Sequence, residues 1–430
     1  MTTTLHAPTP VRARSVNETK SKFCCRFCAG ELTHTFVDLG MSPLCESYVS
    51  ADQQNEMERF YPLKVFVCEK CFLVQLLEHV TPDHIFSDYA YFSSYSDSWL
   101  AHAKNYTQLM VDRFGINEKS KVVEIASNDG YLLQYFVEKN VPVLGIEPAA
   151  NIAEYARKKN VPTISKFFGV KTATEVLREH GPADLLLGNN VLAHVPDIND
   201  FVSGMKVLLA PTGVITMEFP HLVRLMDENQ FDTIYHEHFS YLSLVTVEKI
   251  FAHHGLTIFD VDEIPTHGGS LRIYARHTDD RSRPVDGRVT RLRAAEMTYG
   301  LMKLETYSKF DEQVKETKRK LLEFLIAAKR KGKRVVGYGA PGKGNTLLNY
   351  CGIRDDFLDY TVDRSPHKQG KFLPGTHIPI QHPDRIRETK PDYVLILPWN
   401  LKDEIAKQLA YIREWGGQLV VPIPEAKVIA

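Results

Sequence analysis

Val122-Val123-Glu124-Ile125-Ala126-Ser127-Asn128-Asp129-Gly130 is the stretch from which the rest of the chain can be read. Its first residues suit a short buried strand, the small and polar residues that follow suit a tight loop, and Tyr131-Leu132-Leu133 opens a helix behind it. Strand, small-residue turn and helix N-terminus together make a pocket of the nucleotide type. Small side chains let backbone N–H groups approach a ligand, and the helix dipole favours negative charge there. About twenty residues further on, Val143-Leu144-Gly145-Ile146 forms a second strand ending in Glu147, where an acid can accept hydrogen bonds from both hydroxyls of a ribose.

The loop departs from the G-x-G-x-x-G of dinucleotide binders, since Ala126 and Asn128 stand where glycines are expected. It resembles the S-adenosylmethionine (SAM) site of class I methyltransferases; an ordinary βα turn of another α/β protein is the bland alternative. The resemblance implies SAM contacts from Glu124, Ala126, Asn128, Asp129, Gly130, Glu147 and Pro148. Downstream, strands and helices alternate, which predicts a parallel sheet with helices on both faces. Phe168 follows a short strand where an adenine could stack. Asp184 to Asn190 reads as a strand whose carboxyl end turns Asn189, Asn190 and His194 toward the same crevice.

The bulk properties set limits. At 430 residues the chain calls for two or three domains. With 43% apolar and 24% charged residues it has the composition of a soluble globular protein. A net charge of -1 gives no global electrostatic case for nucleic acid. No apolar run is long enough to span a bilayer, and Met1 to Lys22 lacks the apolar core of a signal peptide. The expectation is a cytoplasmic protein with a disordered N-terminal tail and reduced or metal-bound cysteines.

Four of the seven cysteines form two pairs, Cys25-x-x-Cys28 and Cys68-x-x-Cys71, a spacing that suits one closed tetrahedral zinc site. Such a site has no open position, so the zinc is structural and staples a segment too small to fold on its own core. Cys24 competes with Cys25 as first ligand; Cys45 and Cys351 read as packing residues. Between this segment and the nucleotide fold, Asp88 to Ser96 is rich in hydroxyls and aromatics, either a cover for a ligand or a connector with its aromatics in the core.

Tyr235-His236-Glu237-His238 is the densest run of chemistry in the chain. Histidine is a general base near neutral pH, a neighbouring carboxylate can orient it, and tyrosine can donate to a developing oxyanion. A metal pair remains open, because His236-x-His238 places two imidazoles on one face of an extended strand. His267-Gly268-Gly269-Ser270-Leu271-Arg272 signals a close backbone approach to substrate or to another loop. The polar stretch from Thr278 to Val289 reads as a loop, and Leu301 to Lys331 as one or two amphipathic helices. A second nucleotide-type unit opens at Arg334-Val335-Val336-Gly337-Tyr338-Gly339-Ala340-Pro341-Gly342-Lys343-Gly344, with a helix from Thr346 to Cys351 and a strand ending in Asp363. Pro341 and Lys343 disturb the dinucleotide fingerprint, yet an NAD site here, and with it an NAD(P)-dependent oxidoreductase, is an alternative.

The five features in this order resemble the nucleotide-sugar C-methyltransferases of branched deoxysugar pathways, the group with the mycarose 3-C-methyltransferases. That likeness implies an α/β chain of three domains: zinc-binding (21–85 after a tail, 1–20), SAM-binding (86–310) and a C-terminal Rossmann-like domain (311–430). It implies a nucleoside-diphosphate 4-keto-6-deoxyhexose methylated beside its ketone, with N- or O-methylation of a sugar nucleotide as a rival within the class. Catalytic positions carried over are Tyr89, His194, Tyr235, Glu237 and His238, with His238 as base and Glu237 orienting an imidazole. His236, Lys343, Asn345 and Arg364 are the candidate contacts to the sugar nucleotide.

Overall fold

The structure is a computed structural model and describes residues 23–81 and 92–429. The N-terminal segment forms three antiparallel strands, β1 (His34–Ser42), β2 (Tyr61–Val67) and β3 (Val74–Leu76). The central region supplies β4 (Val122–Ile125), β5 (Val143–Ile146), β6 (Thr163–Ile164), β7 (Ala183–Asn189), β8 (Leu209–Pro220), β9 (Ser240–Tyr241), β10 (Leu256–Ile264) and β11 (Ser270–His277). Strand β9 leaves this region and pairs with β3, so a segment from the middle of the chain completes the N-terminal sheet.

The other seven central strands form one sheet in the order β10-β11-β8-β7-β4-β5-β6. From β6 to β8 the strands are parallel; β11 runs antiparallel to both neighbours. Their near-continuous apolar runs fit burial on both faces, and β4 is buried along its whole length. The loops after β4, β5, β7 and β8 therefore lie along one carboxyl edge, with Asn189 directly beside Glu218 in the register. This edge is where open α/β sheets bind ligands.

A third sheet, in the order β14-β13-β12-β15-β16-β17, uses β12 (Val335–Tyr338), β13 (Thr361–Val362), β14 (Ile380–Gln381), β15 (Tyr393–Ile396), β16 (Gln418–Val421) and β17 (Lys427–Ile429). Five strands are parallel, and the order reverses at β12. The helix Phe310–Arg330 joins this sheet to the N-terminal one: Phe310 stacks on Phe36 with ring centroids 4.6 Å apart, and one apolar core runs through all three elements. Among the described residues no helix is long and apolar enough to cross a membrane.

Three expectations about local structure change. The stretch read as polar loop contains the start of a helix, Gly287–Tyr299. Its apolar periodicity is weak because its two buried residues are Val289 and the charged Glu296, and Glu296 accepts from the backbone N–H groups of Leu244 and Val245 (both 2.8 Å) and thus caps the helix Leu244–His253. The glycine-rich stretch is helical from Gly342, not from Thr346. Gly342 is needed for packing, since a Cβ there would lie 2.8 Å from Cys45 Sγ. Finally, Tyr235 to Glu237 form a turn closed by His238 N–H to Tyr235 C=O (2.9 Å), so the two histidines do not share a strand face.

Candidate active site

The cofactor end is built on the loop after β4. Ala126, Asn128 and Gly130 take left-handed φ values of 55°, 48° and 75°, a costly backbone for the first two that the surroundings must hold. Glu147 supplies the hold: its carboxylate accepts from Asn128 N–H (3.0 Å) and Ala149 N–H (2.9 Å). Burial pushes its carboxyl up to about 7, against the pull of those two N–H groups. The acid at the second strand tip thus shapes the loop, and a carboxylate with about four lone-pair sites has capacity left for ribose hydroxyls. The Asn128 side chain accepts from Ser93 N–H (2.9 Å), and buried Asp129 pairs with Lys159 at 3.0 Å. Pro148 follows Glu147 and leads into the helix Ala150–Lys158.

Glu124 is fully buried beneath the loop, and burial drives its carboxyl well above the usual range, with Tyr131 opposing and Glu147, Asp129 and Glu218 reinforcing. Asn189 is buried with neither side-chain polar atom partnered among the described residues, and Ser127 Oγ is in the same condition. Orphaned buried polar groups are costly and mark a site for a ligand. Asn190 sits at φ 54°, its N–H bonded to the Glu218 carbonyl (2.8 Å). Phe168 packs edge-on against Phe201, centroids 5.3 Å apart, at the rim of the core. The acidic tip, left-handed loop and unpartnered amide fit the ribose, amino-acid and adenine parts of SAM.

The second wall is the turn from Thr233 to Phe239. Phe239 N–H donates to the Ala193 carbonyl (2.7 Å), which brings His194 and His238 together, ring centroids 4.6 Å apart and nearly perpendicular. His238 Nδ1 donates to the Thr233 carbonyl at 2.7 Å. That bond fixes the tautomer and leaves Nε2 as acceptor, and Nε2 is buried without a partner among the described residues. Burial, then the neighbouring His194, lowers the His238 imidazole well below its ordinary value, so the ring is neutral at pH 7. Tyr235 lies over His238 with ring centroids 4.0 Å apart, and burial raises its hydroxyl well above the ordinary range, so it stays a donor.

The orienting group of His238 is therefore the Thr233 carbonyl and not the Glu237 carboxylate. Glu237 turns toward the N-terminal segment, accepting from the Cys45 thiol at 3.7 Å, while its backbone bonds His194. His236 packs edge-on against Tyr61 of β2 at 5.8 Å, on the side of the N-terminal sheet. Among the described residues the single cluster of three or more potential metal ligands is the cysteine group, to which His236 and His238 do not belong. Tyr89 lies outside the described residues.

The C-terminal domain closes the third side. Lys343 Nζ donates to Asn400 Oδ1 (2.8 Å) and lies 4.8 Å from the centroid of Trp399, whose Nε1 donates to Asp232 Oδ2 (2.7 Å). Burial lowers the Lys343 ammonium and Asp232 opposes that shift; burial raises Asp232 to about 6. Asn345 Nδ2 donates to the Cys45 carbonyl (2.5 Å) and Thr346 Oγ1 to the Ile234 carbonyl (3.0 Å), so this helix is seated against the His238 turn. Arg364 is exposed after β13. Asp363, in the position of a ribose-binding acid, accepts from Ala340 N–H (2.7 Å) and Ser365 N–H (2.8 Å).

The metal site is separate. The thiols of Cys25, Cys28, Cys68 and Cys71 all lie within 4.8 Å of one another, while Cys24 is exposed and outside the group. Four thiolates converging at this distance fit a tetrahedral zinc. Three groups beside the site were not among the expected site residues: His267, the pair Asp232–Trp399, and the ion pair of Glu218 with His102 (2.8 Å) and Arg272 (2.6 Å). The glycines after His267 were the sole signal. The other residues stand too far apart in the chain for spacing to link them.

Family models match three segments: "Putative zinc binding domain" over 25–86, "Methyltransferase domain" over 99–261 and "C-methyltransferase C-terminal domain" over 265–424. The C-methyltransferase NovU of Streptomyces niveus is 37% identical over 408 residues, 94% of this chain and 96% of the relative. Solved structures overlay on less than half of the chain. The magnesium protoporphyrin IX methyltransferase of Synechocystis with bound SAM is 13% identical, spans 41% of this chain and 78% of its own, and gives a TM-score of 0.32. A SAM-dependent methyltransferase of Anabaena variabilis is 15% identical over 42% and 86%, with a TM-score of 0.34. Overlays at that level carry no weight beside the sequence match. The chain belongs to the family of NovU and is a SAM-dependent C-methyltransferase with a zinc-binding N-terminal domain.

Proposed function

We propose that the protein methylates C3 of a nucleoside-diphosphate 4-keto-6-deoxyhexose in branched deoxysugar biosynthesis. The observation that carries this is His238: a neutral, buried imidazole whose Nδ1 is tied to the Thr233 carbonyl at 2.7 Å and whose Nε2 has no partner among the described residues. Carbon is a poor nucleophile, and a methylase acting on carbon must first remove a proton. A ketone at C4 makes the C3 hydrogen removable, and His238 Nε2 takes it. The growing enolate charge beside the ring raises its affinity for that proton. Tyr235, with His194 behind it, donates to the oxyanion, a role in which Tyr89 is a further candidate. The loop after β4 and Glu147 would hold SAM, which when bound would supply the electrophilic methyl for C3. Lys343 with Asn345 and Arg364, and His236 on the side of the N-terminal sheet, contact the sugar nucleotide, and holding both substrates between two domains supplies much of the remaining acceleration.

His238→Asn tests this. Turnover on a 4-keto sugar nucleotide is expected to fall by about two to four orders of magnitude, while calorimetry shows SAM bound as in wild type. Unchanged turnover removes His238 as the base. Mass spectrometry of products from a panel of 4-keto sugar nucleotides with SAM identifies the nucleotide and the sugar.

A further inference from the structure

We propose that His267 is a further catalytic residue, donating an imidazole N–H to the ketone oxygen of the substrate as the C3 proton leaves; this rests on the sugar-methylation reading above. The loop between β10 and β11 carries His267 at φ 55°. Left-handed backbone is costly for a residue with a Cβ, and a glycine would adopt it freely. The chain has glycine at the next two positions, at φ 92° and 111°, yet keeps a side chain here.

The loop is pinched from several sides. A Cβ on Gly268 would lie 2.7 Å from Gln230 Nε2 and 2.8 Å from Trp399 Cη2, and one on Gly269 would lie 2.9 Å from Arg224 Cγ. Gln230 Nε2 donates to the Gly268 carbonyl (2.8 Å), tying the loop to the start of the His238 turn. Trp99 meets the His267 ring edge-on at 5.0 Å and lies near-parallel to Tyr131, at 5.9 Å, behind the cofactor loop. His267 thus stands where the cofactor wall, the His238 turn and the Trp399–Lys343 wall meet.

Its Nε2 is enclosed and has no partner among the described residues. Burial, then Lys343, lowers the imidazole to about 4, so it stays neutral and keeps one N–H to donate. A neutral donor binds a ketone weakly and an enolate strongly, which is the differential a transition state requires. The atoms balance: the C3–H bond breaks with its proton going to His238 Nε2, its electron pair forms the C3=C4 double bond, and the C4=O π pair moves onto the oxygen. His267 keeps its own proton throughout. When the C3–methyl bond forms, the C4 carbonyl is restored and the sulfur–methyl pair stays on sulfur.

The test uses the full-length enzyme and two variants. His267→Gly removes the ring and relieves the backbone; His267→Asn tolerates left-handed φ and restores an N–H donor. The readouts are kcat, KM, SAM affinity by calorimetry, and solvent-deuterium incorporation at C3 with S-adenosylhomocysteine in place of SAM. His267→Gly is expected to melt no lower than wild type and bind SAM equally. Its kcat and C3 exchange should fall together by about 10²–10³, with His267→Asn regaining at least about tenfold. His267→Gly within about threefold of wild type, or His267→Asn no better than His267→Gly, overturns the inference. Wild type that methylates no 4-keto-6-deoxy sugar nucleotide at C3 overturns the underlying reading instead.

Discussion

Arg272→Met probes the charge cluster beside the crevice. Arg272 on β11 lies directly across from Glu218 on β8 in the strand register, and both are almost wholly buried. The guanidinium donates to Glu218 Oε1 at 2.6 Å, and His102 Nε2 meets Oε2 at 2.8 Å. Burial alone would raise the Glu218 carboxyl, yet His102 and Arg272 more than reverse it and hold it below its ordinary 4.5. Methionine keeps the aliphatic stem but loses the guanidinium, which lies 5.0 Å from the Tyr106 ring centroid, and leaves a buried carboxylate without its arginine, a loss of about 3–5 kcal/mol. That is a drop in melting temperature on the order of 10 °C for a unit of this size. Because Glu218 holds its proton more weakly folded than unfolded, its ion pairs contribute fully at pH 7 and fade as pH falls through its lowered pKa. The gap between wild type and Arg272→Met should therefore narrow as the pH falls below the ordinary carboxyl value of 4.5 and through the lowered one. Adding Glu218→Gln removes the stranded charge and should recover about 2 kcal/mol or more. Urea melts at pH 7 and at acid pH give all four corners of the cycle. A single variant within about 1 kcal/mol of wild type at pH 7, or a gap that ignores pH, would refute the reasoning.

Three further outcomes follow from the geometry. The active form of His238 is the neutral ring and its pKa is lowered, so the acid limb of kcat/KM should lie below 6.5; a limb at or above that value counts against His238 as base. Cys71→Ser should lose the metal and the N-terminal fold, whereas Cys24→Ser should keep about one zinc per chain by elemental analysis; equal zinc in the two would contradict the cluster. Lys343→Met should raise KM for the sugar nucleotide about ten- to hundredfold, the worth of a charge-assisted hydrogen bond of about 1.5–3 kcal/mol. SAM affinity measured by calorimetry should stay unchanged, and a loss of SAM binding would move Lys343 to the wrong substrate.

The sequence by itself determined what depends on near neighbours and repeated spacing. Two Cys-x-x-Cys pairs carried the zinc, because each places two thiolates within reach of one ion. The Val122 to Gly130 run and Glu147 carried the cofactor half, because alternation of apolar strands with helices dictates a parallel sheet whose loops share an edge. Tertiary structure alone decided the direction in which side chains face. Glu237 stands next to His238 in the chain, yet the turn sends it to Cys45 and leaves the Thr233 carbonyl to set the tautomer. Lys343, Trp399 and Asp232 meet across more than a hundred residues, and Ser240–Tyr241 deserts its neighbours to finish another sheet. Strand pairing and domain docking depend on surfaces that no local pattern encodes, and those contacts set which of the chain's many histidines share one chamber.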